Sequence, residues 1–226
     1  MDILRAEAGS CAELTGAVVV IDVLRSFSTA AYAFAAGVRK IFPVDALSDA
    51  QALRVRMPAA LTMGAAGGGA PIPGFDLSNS PAALAGRDLR GRNIIHCSAG
   101  GIRALVSCRR ADTLLAASLV CARATVRELR RLAPPEVTLV VTGDWIDRDG
   151  DEDRACADYM EALLRWEAPD PAPFTARVRN SDFGRRFSDD TALPAADLDC
   201  CAIADRFDFA MRARCADGYW TLDAVA

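Results

Sequence analysis

Apolar positions along this chain come in short unbroken blocks separated by mixed helical stretches. Residues Ala17-Val18-Val19-Val20-Ile21 are apolar at every position and stop at Asp22, the pattern of a strand buried on both faces. Residues 26–36 are rich in alanine and aromatics and predict a helix that stops at Gly37. The pairing recurs. Strands are predicted at 40–44, 60–63, 92–96, 113–117 and 137–142, and helices at 48–56, 100–107, 122–132 and 151–166, with Ser48 as an N-cap. Strands alternating with helices predict parallel βαβ units. The expected fold class is α/β, a layered βαβ-type sheet with flanking helices. After Trp166 a proline-rich loop begins, and the tail predicts helix, loop and a final strand or hairpin on the same core. The expected organisation is one unit over 1–226, divisible into packed lobes of about 1–165 and 166–226.

With 52% hydrophobic residues, the chain can bury a sizeable core. A net charge of −4 offers no basic footprint for nucleic acid. No run reaches the roughly 18 apolar residues that a membrane span needs. The first residues lack a basic segment followed by a long apolar one. A cytoplasmic protein with no membrane or nucleic-acid partner is expected, and a homodimer is the base-rate oligomer. Eight cysteines and one histidine occur without a CxxC pair, so zinc spacing is absent and buried thiols are expected.

Ligands of open α/β sheets sit beyond the carboxyl ends of the strands. Four segments there carry suitable chemistry. In the first, Asp22 can hold a hard cation, Arg25 can grip an oxyanion, and Ser28 and Thr29 can donate at a helix start. An ordinary capped helix would look the same. The second is the glycine-rich stretch 64–81, which carries Asp76, Asn79 and Ser80 and lacks the lysine of a Walker A loop. The third is His96-Cys97-Ser98-Ala99-Gly100-Gly101-Ile102-Arg103, with the Cys-x5-Arg spacing of cysteine-dependent phosphatases. That spacing also occurs from Cys121 to Arg127 and from Cys200 to Arg206. The fourth runs from Thr142 through Asp144 to Asp153 and is rich in carboxylates, which suit Mg²⁺ or the first turn of a helix. Helix capping is the preferred reading for Asp149 and Asp151.

Together these segments resemble the 2-phosphosulfolactate phosphatase family. The family's Val-Ile-Asp-Val-Leu-Arg-Ala-Thr-Ser-Thr stands here as Val20 through Thr29, and its Gly-Phe-Asp-Leu-Gly-Asn-Ser-Pro as Gly74 through Pro81. Ser98 to Leu105 and Glu152 to Ala157 match two looser motifs, and the acidic, aromatic stretch 197–209 is also similar. The resemblance implies a Mg²⁺-dependent phosphatase acting on a small phosphorylated acid. Asp22, Glu152 and Asp153 would hold the metal, and Arg25 and Arg103 would hold the phosphoryl oxygens. Ser28, Thr29, Asp76, Asn79, Ser80, Ser98, Gly100 and Gly101 would line the substrate site. The chain departs from the family where Gly-Glu-Arg has become Gly64-Ala65-Ala66, where Thr-Thr-Asn has become Ser98-Ala99-Gly100, and where an asparagine has become Cys121. These losses bear on which ester is bound, since sites discriminate through hydrogen bonds. Two alternatives stay open. One is a metal-free phosphatase with Cys97 as nucleophile, Arg103 as clamp and Asp144 as general acid. The other is a non-catalytic binder of a phosphorylated or anionic metabolite.

Overall fold

The computed structural model describes residues 1–145, 148–188, 193–216 and 218–226, without the side chains of Asp144, Trp145 and Arg148. The first half of the chain forms β1 (Asp2–Glu7), β2 (Gly16–Ile21), α1 (Ser26–Ala35), β3 (Lys40–Val44), α2 (Leu47–Arg56), β4 (Leu61–Ala65), β5 (Leu77–Ser78) and α3 (Pro81–Leu84). The middle adds β6 (Asn93–Ser98), α4 (Gly101–Ser107), β7 (Ala111–Ala117), α5 (Ala122–Leu132), β8 (Glu136–Val141), β9 (Asp144–Trp145), β10 (Arg148–Asp149) and α6 (Asp151–Leu164). The tail contributes α7 (Ala172–Asn180), α8 (Asp182–Arg185), α9 (Ala195–Cys201), β11 (Ala210–Ala216) and β12 (Tyr219–Val225).

Among the described residues ten strands make one sheet in the order β1-β8-β2-β7-β11-β12-β3-β6-β4-β5. The strands β1, β8, β2 and β7 run parallel, as do β3, β6, β4 and β5. The hairpin β11–β12 joins these sets through antiparallel pairings with β7 on one side and β3 on the other. The expected α/β layering is present, but the parallel pattern is interrupted at its centre by the last residues of the chain. Alternating apolar residues in that tail allow this: Met211, Ala213 and Leu222 are buried.

The apolar block of β2 behaves as its composition dictates. Val18 and Val20 enter one core cluster with Phe27, Ile94 and Leu105, while Val19 and Ile21 enter another with Leu129, Tyr159 and Phe183. Both faces of the strand are therefore covered by helices. Six cysteines (Cys11, Cys97, Cys108, Cys121, Cys156 and Cys201) are buried free thiols. Among the described residues no helix is long and apolar enough to cross a membrane.

Three local expectations change. α2 begins at Leu47 after Ala46, which makes no side-chain cap, so Ser48 lies inside the helix. α6 ends at Leu164, and Trp166 turns out at φ 64° beneath the Arg130 guanidinium. β1 was not expected. It is an edge strand whose residues are exposed or half-buried, so it carries little hydrophobic signal.

Candidate functional site

The ends of four strands open onto one cleft of about 190 Å³. β2 leads to Asp22, Leu24, Arg25 and Ser26, and β4 leads to Ala65, Ala66, Gly67 and Gly69. β6 supplies Ser98, Ala99 and Gly100, while β8 supplies Thr142 and Gly143. Glu152 and Asp153 enter from the first turn of α6, with Asn79 and Phe183 at the sides. The two parallel sets run in opposite senses, yet their ends meet. At roughly 20–25° of twist per neighbouring pair, the five steps from β2 to β6 accumulate about 100–125°, which offsets much of the reversal.

The acids differ in how fully the protein occupies them. Asp153 accepts from the Val23 N–H at 2.8 Å through one oxygen. Its other oxygen accepts from the Thr142 N–H at 3.0 Å, with the Thr142 hydroxyl 3.1 Å away. Asp22 accepts one backbone bond per oxygen, from Ser26 N–H at 2.9 Å and Gly101 N–H at 2.8 Å. Glu152 is only 2% exposed, and among the described residues its Oε2 has no hydrogen-bond partner. Burial, with the charges of Asp22 and Asp149, raises its carboxyl to about 7, against the lowering pull of its own backbone N–H and the Ser181 hydroxyl. Burial, then the charges of Glu152 and Asp22, raises Asp153 well above the carboxylate range.

Two glycines make this crowding feasible. A Cβ at Gly101 would lie 2.6 Å from Asp22 Oδ2, and one at Gly143 would lie 3.0 Å from Glu152 Oε1. Only a residue without a side chain lets the backbone approach each carboxylate so closely.

A bare, buried, chargeable oxygen beside a second carboxylate is a donor set that suits Mg²⁺, which binds one or two carboxylates and completes its shell with water and phosphate oxygens. The two-carboxylate set formed by Glu152 and Asp22 therefore fits the ion. Among the described residues no three His, Cys, Asp or Glu side chains form a ready-made cage.

Neutral and cationic donors stand opposite. Ser26 Oγ and Ser98 Oγ are 3.0 Å apart. One hydroxyl hydrogen serves that contact and the other remains to donate elsewhere. Arg25 is 5% exposed and bonds Asp197 at 2.6 Å and the Gly69 carbonyl at 2.9 Å. Asn79 Oδ1 lies 3.3 Å from His96 Nε2.

Several expected site residues stand elsewhere. Arg103 is exposed and does not line the cleft, because α4 turns it outward. Asp76 is engaged by Arg54 and by the Thr62 N–H and hydroxyl, so it staples a loop to β4. Its partial burial works to raise the carboxyl, but the Thr62 and Arg54 bonds outweigh this and hold it low. Ser28 Oγ turns inward to the Val23 carbonyl and Ser118 Oγ. Thr29 is fully buried, and among the described residues its hydroxyl has no partner. Ser80 caps α3 through the Ala83 N–H and donates to Asp197. Gly101 acts through its N–H on Asp22 and lies behind the lining.

Cys97 alternates to the opposite face of β6 from Ser98 and packs with Phe42, Ala50 and Leu53. Burial, then Asp45 and Asp49, pushes its thiol up, the reverse of what a thiolate nucleophile requires. The Asp144 side chain, the general acid of that alternative, lies outside the described residues. Sequence reasoning reached Thr142 and Gly143 only as part of the fourth segment, and it missed Phe183 and above all the role of Asp197, which stands 172 residues from Arg25 and announces itself only as one acid in an acidic tail.

Comparison with known proteins follows the same outline. A family model described as 2-phosphosulpholactate phosphatase matches residues 3–214. A protein of Carboxydothermus hydrogenoformans named probable 2-phosphosulfolactate phosphatase is 41% identical over 149 residues, covering 66% of this chain and 60% of that protein. A Bacillus subtilis protein of the same name is 27% identical over 199 residues, covering 87% and 86%. One from Caldicellulosiruptor saccharolyticus is 31% identical over 156 residues, covering 67% and 64%. The matched stretch thus spans less than two thirds of the first and third relatives.

Proposed function

The chain belongs to the 2-phosphosulpholactate phosphatase family, and on that premise we propose that it is a Mg²⁺-dependent phosphomonoester hydrolase acting on a small phosphorylated acid. The observation that carries this reading is Glu152 Oε2, without a partner among the described residues and buried in a cleft that also presents Asp22, Arg25 and two serine hydroxyls. Asp22 and Glu152 would hold the ion. Bound there, it would neutralise charge on the ester, a large part of what phosphoryl transfer demands.

The chain's own groups do the rest. Arg25 and the spare hydroxyl hydrogen of the Ser26–Ser98 pair supply fixed donors for phosphoryl oxygens. Asp153 ties the ends of β2 and β8 together through Val23 and Thr142, which holds the first turn of α6 against the cleft. Because its two oxygens join the ends of two neighbouring strands, we assign it to shaping the site. The small, largely neutral walls at Ala65, Ala66 and Gly67 leave room for a short acid and little more.

Phosphate release from phosphosulfolactate, phospholactate and phosphoglycerate, with Mg²⁺ and again with EDTA, tests the reading. Release that EDTA abolishes is expected. Release that survives EDTA contradicts the metal assignment, and binding of an ester without release makes the chain a binder.

A further inference from the structure

Arg25 is a guanidinium taken out of water, with its side chain 4% exposed. Such a charge needs a partner of equal burial. The partner is Asp197, whose side chain is fully buried and whose Oδ2 accepts from Arg25 Nη1 at 2.6 Å. Arg25 Nη2 donates to the Gly69 carbonyl at 2.9 Å, and the guanidinium lies 5.6 Å from the Phe187 ring centroid. Asp197 Oδ1 accepts from Ser80 Oγ at 2.6 Å and from the Ala82 N–H at 3.0 Å.

Asp197 does not line the cleft, yet it connects three of its walls. It holds the turn after β2 through Arg25 and reaches the glycine loop through the Arg25–Gly69 bond. It fixes the start of α3, next to the cleft residue Asn79, through Ser80 and Ala82. Arginine carries five N–H donors in a fixed fork. Asp197 and Gly69 take one each, so among the described residues up to three remain, on a side chain that lines the cleft. A carboxylate that fixes one end of the fork decides where those point.

We propose that Asp197 is a positioning residue for phosphate recognition, acting through the Arg25 guanidinium rather than on the ligand. The proposal rests on reading the cleft as a phosphate-ester site. It makes the binding end of the substrate the phosphoryl group, presented to an arginine whose own charge is balanced from behind.

A double-mutant cycle separates positioning from bulk stability. The wild type, Asp197→Asn, Arg25→Met and the double variant are compared in two assays with Mg²⁺ present. The first is affinity for inorganic phosphate by calorimetry, and the second is kcat and KM on p-nitrophenyl phosphate. Asp197→Asn is expected to weaken inorganic phosphate at least tenfold and to raise KM more than it lowers kcat. In the Arg25→Met background the same change is expected to alter phosphate affinity less than twofold. Leu222→Ala, in the centre of the sheet, gives the baseline for a general loss of stability and should keep phosphate affinity within twofold. If Asp197→Asn does not fold, Asp197→Glu keeps the charge, displaces it by one methylene, and should shift affinity in the same direction.

Wild-type affinity in the Asp197 variants overturns the proposal, as does an equal loss with and without Arg25. A wild type that binds inorganic phosphate but releases none from the ester contradicts the hydrolase reading and leaves the cycle on affinity decisive. A wild type that does neither removes the phosphate site and this proposal with it.

Discussion

Asp76 and Glu152 are both carboxylates in stretches that match the family's motifs, and the fold uses them in opposite ways. Asp76 sits at a loop, its side chain 30% exposed, with its oxygens engaged by Arg54 and Thr62. Glu152 sits inside the cleft with one oxygen, Oε2, that no group among the described residues satisfies. A buried polar atom without a partner is costly, and natural structures rarely keep one without a use. The contrast teaches that hydrogen-bond accounting, more than motif membership, separates scaffold from site.

The sharpest way to break this contrast is Glu152→Gln. It should lower kcat/KM for Mg²⁺-supported phosphate release at least about a hundredfold, the scale of losing one charge-stabilising group at a reacting centre. A loss below about fivefold would place Glu152 with Asp76 as scaffold.

The same variant should move stability the other way. Folded, Glu152 keeps its proton up to about 7, whereas an unfolded glutamate loses it near about 4.3. The stability from this group is full below that lower value and is lost as pH rises through 7, on the order of 3 kcal/mol. Metal-free Glu152→Gln should therefore gain Tm over the wild type between pH 5 and 8, with the largest gain at the high end. His96 acts in the opposite sense: burial holds it near 3, so acid favours the unfolded state below about 6.5. Both proteins share that slope, and it cancels in their difference. A difference that stays flat across this range contradicts the assignment.

Asp76→Asn should cost about 1–2 kcal/mol in urea unfolding, the scale of weakened charge-assisted bonds, and change kcat/KM less than threefold. A large kinetic loss without a stability loss would return Asp76 to the site. The smallest effect is expected from Arg103→Ala and Cys97→Ala. Each should leave kcat/KM within about twofold, because neither residue reaches the cleft.

Much of the sheet was legible in the chain. Unbroken apolar runs such as 17–21 admit few readings, and the order of strand and helix follows from them. The acids of the cleft were legible as well, because Asp22, Glu152 and Asp153 stand at a strand end and a helix start. What stayed hidden depended on long-range pairing. The hairpin β11–β12 fills the middle of the sheet because β7 and β3 both offer open edges, which no local pattern announces. Cys97 and Arg103 carried a persuasive spacing, but strand alternation sends the thiol to the far face and helix rotation sends the guanidinium to solvent. Asp197 is invisible locally, because its role exists only once Arg25 and Ser80 arrive from elsewhere in the chain.

The central claim, that Glu152 and Asp22 form the cation-dependent centre of the cleft, is tested most directly by titrating Mg²⁺ into wild type and Glu152→Gln while following the initial rate of phosphate release from one ester. The account predicts a saturable rise from a near-zero rate for the wild type and no rise for the variant over the same range. Equal Mg²⁺ curves for the two proteins, or a wild-type rate indifferent to Mg²⁺, would contradict it.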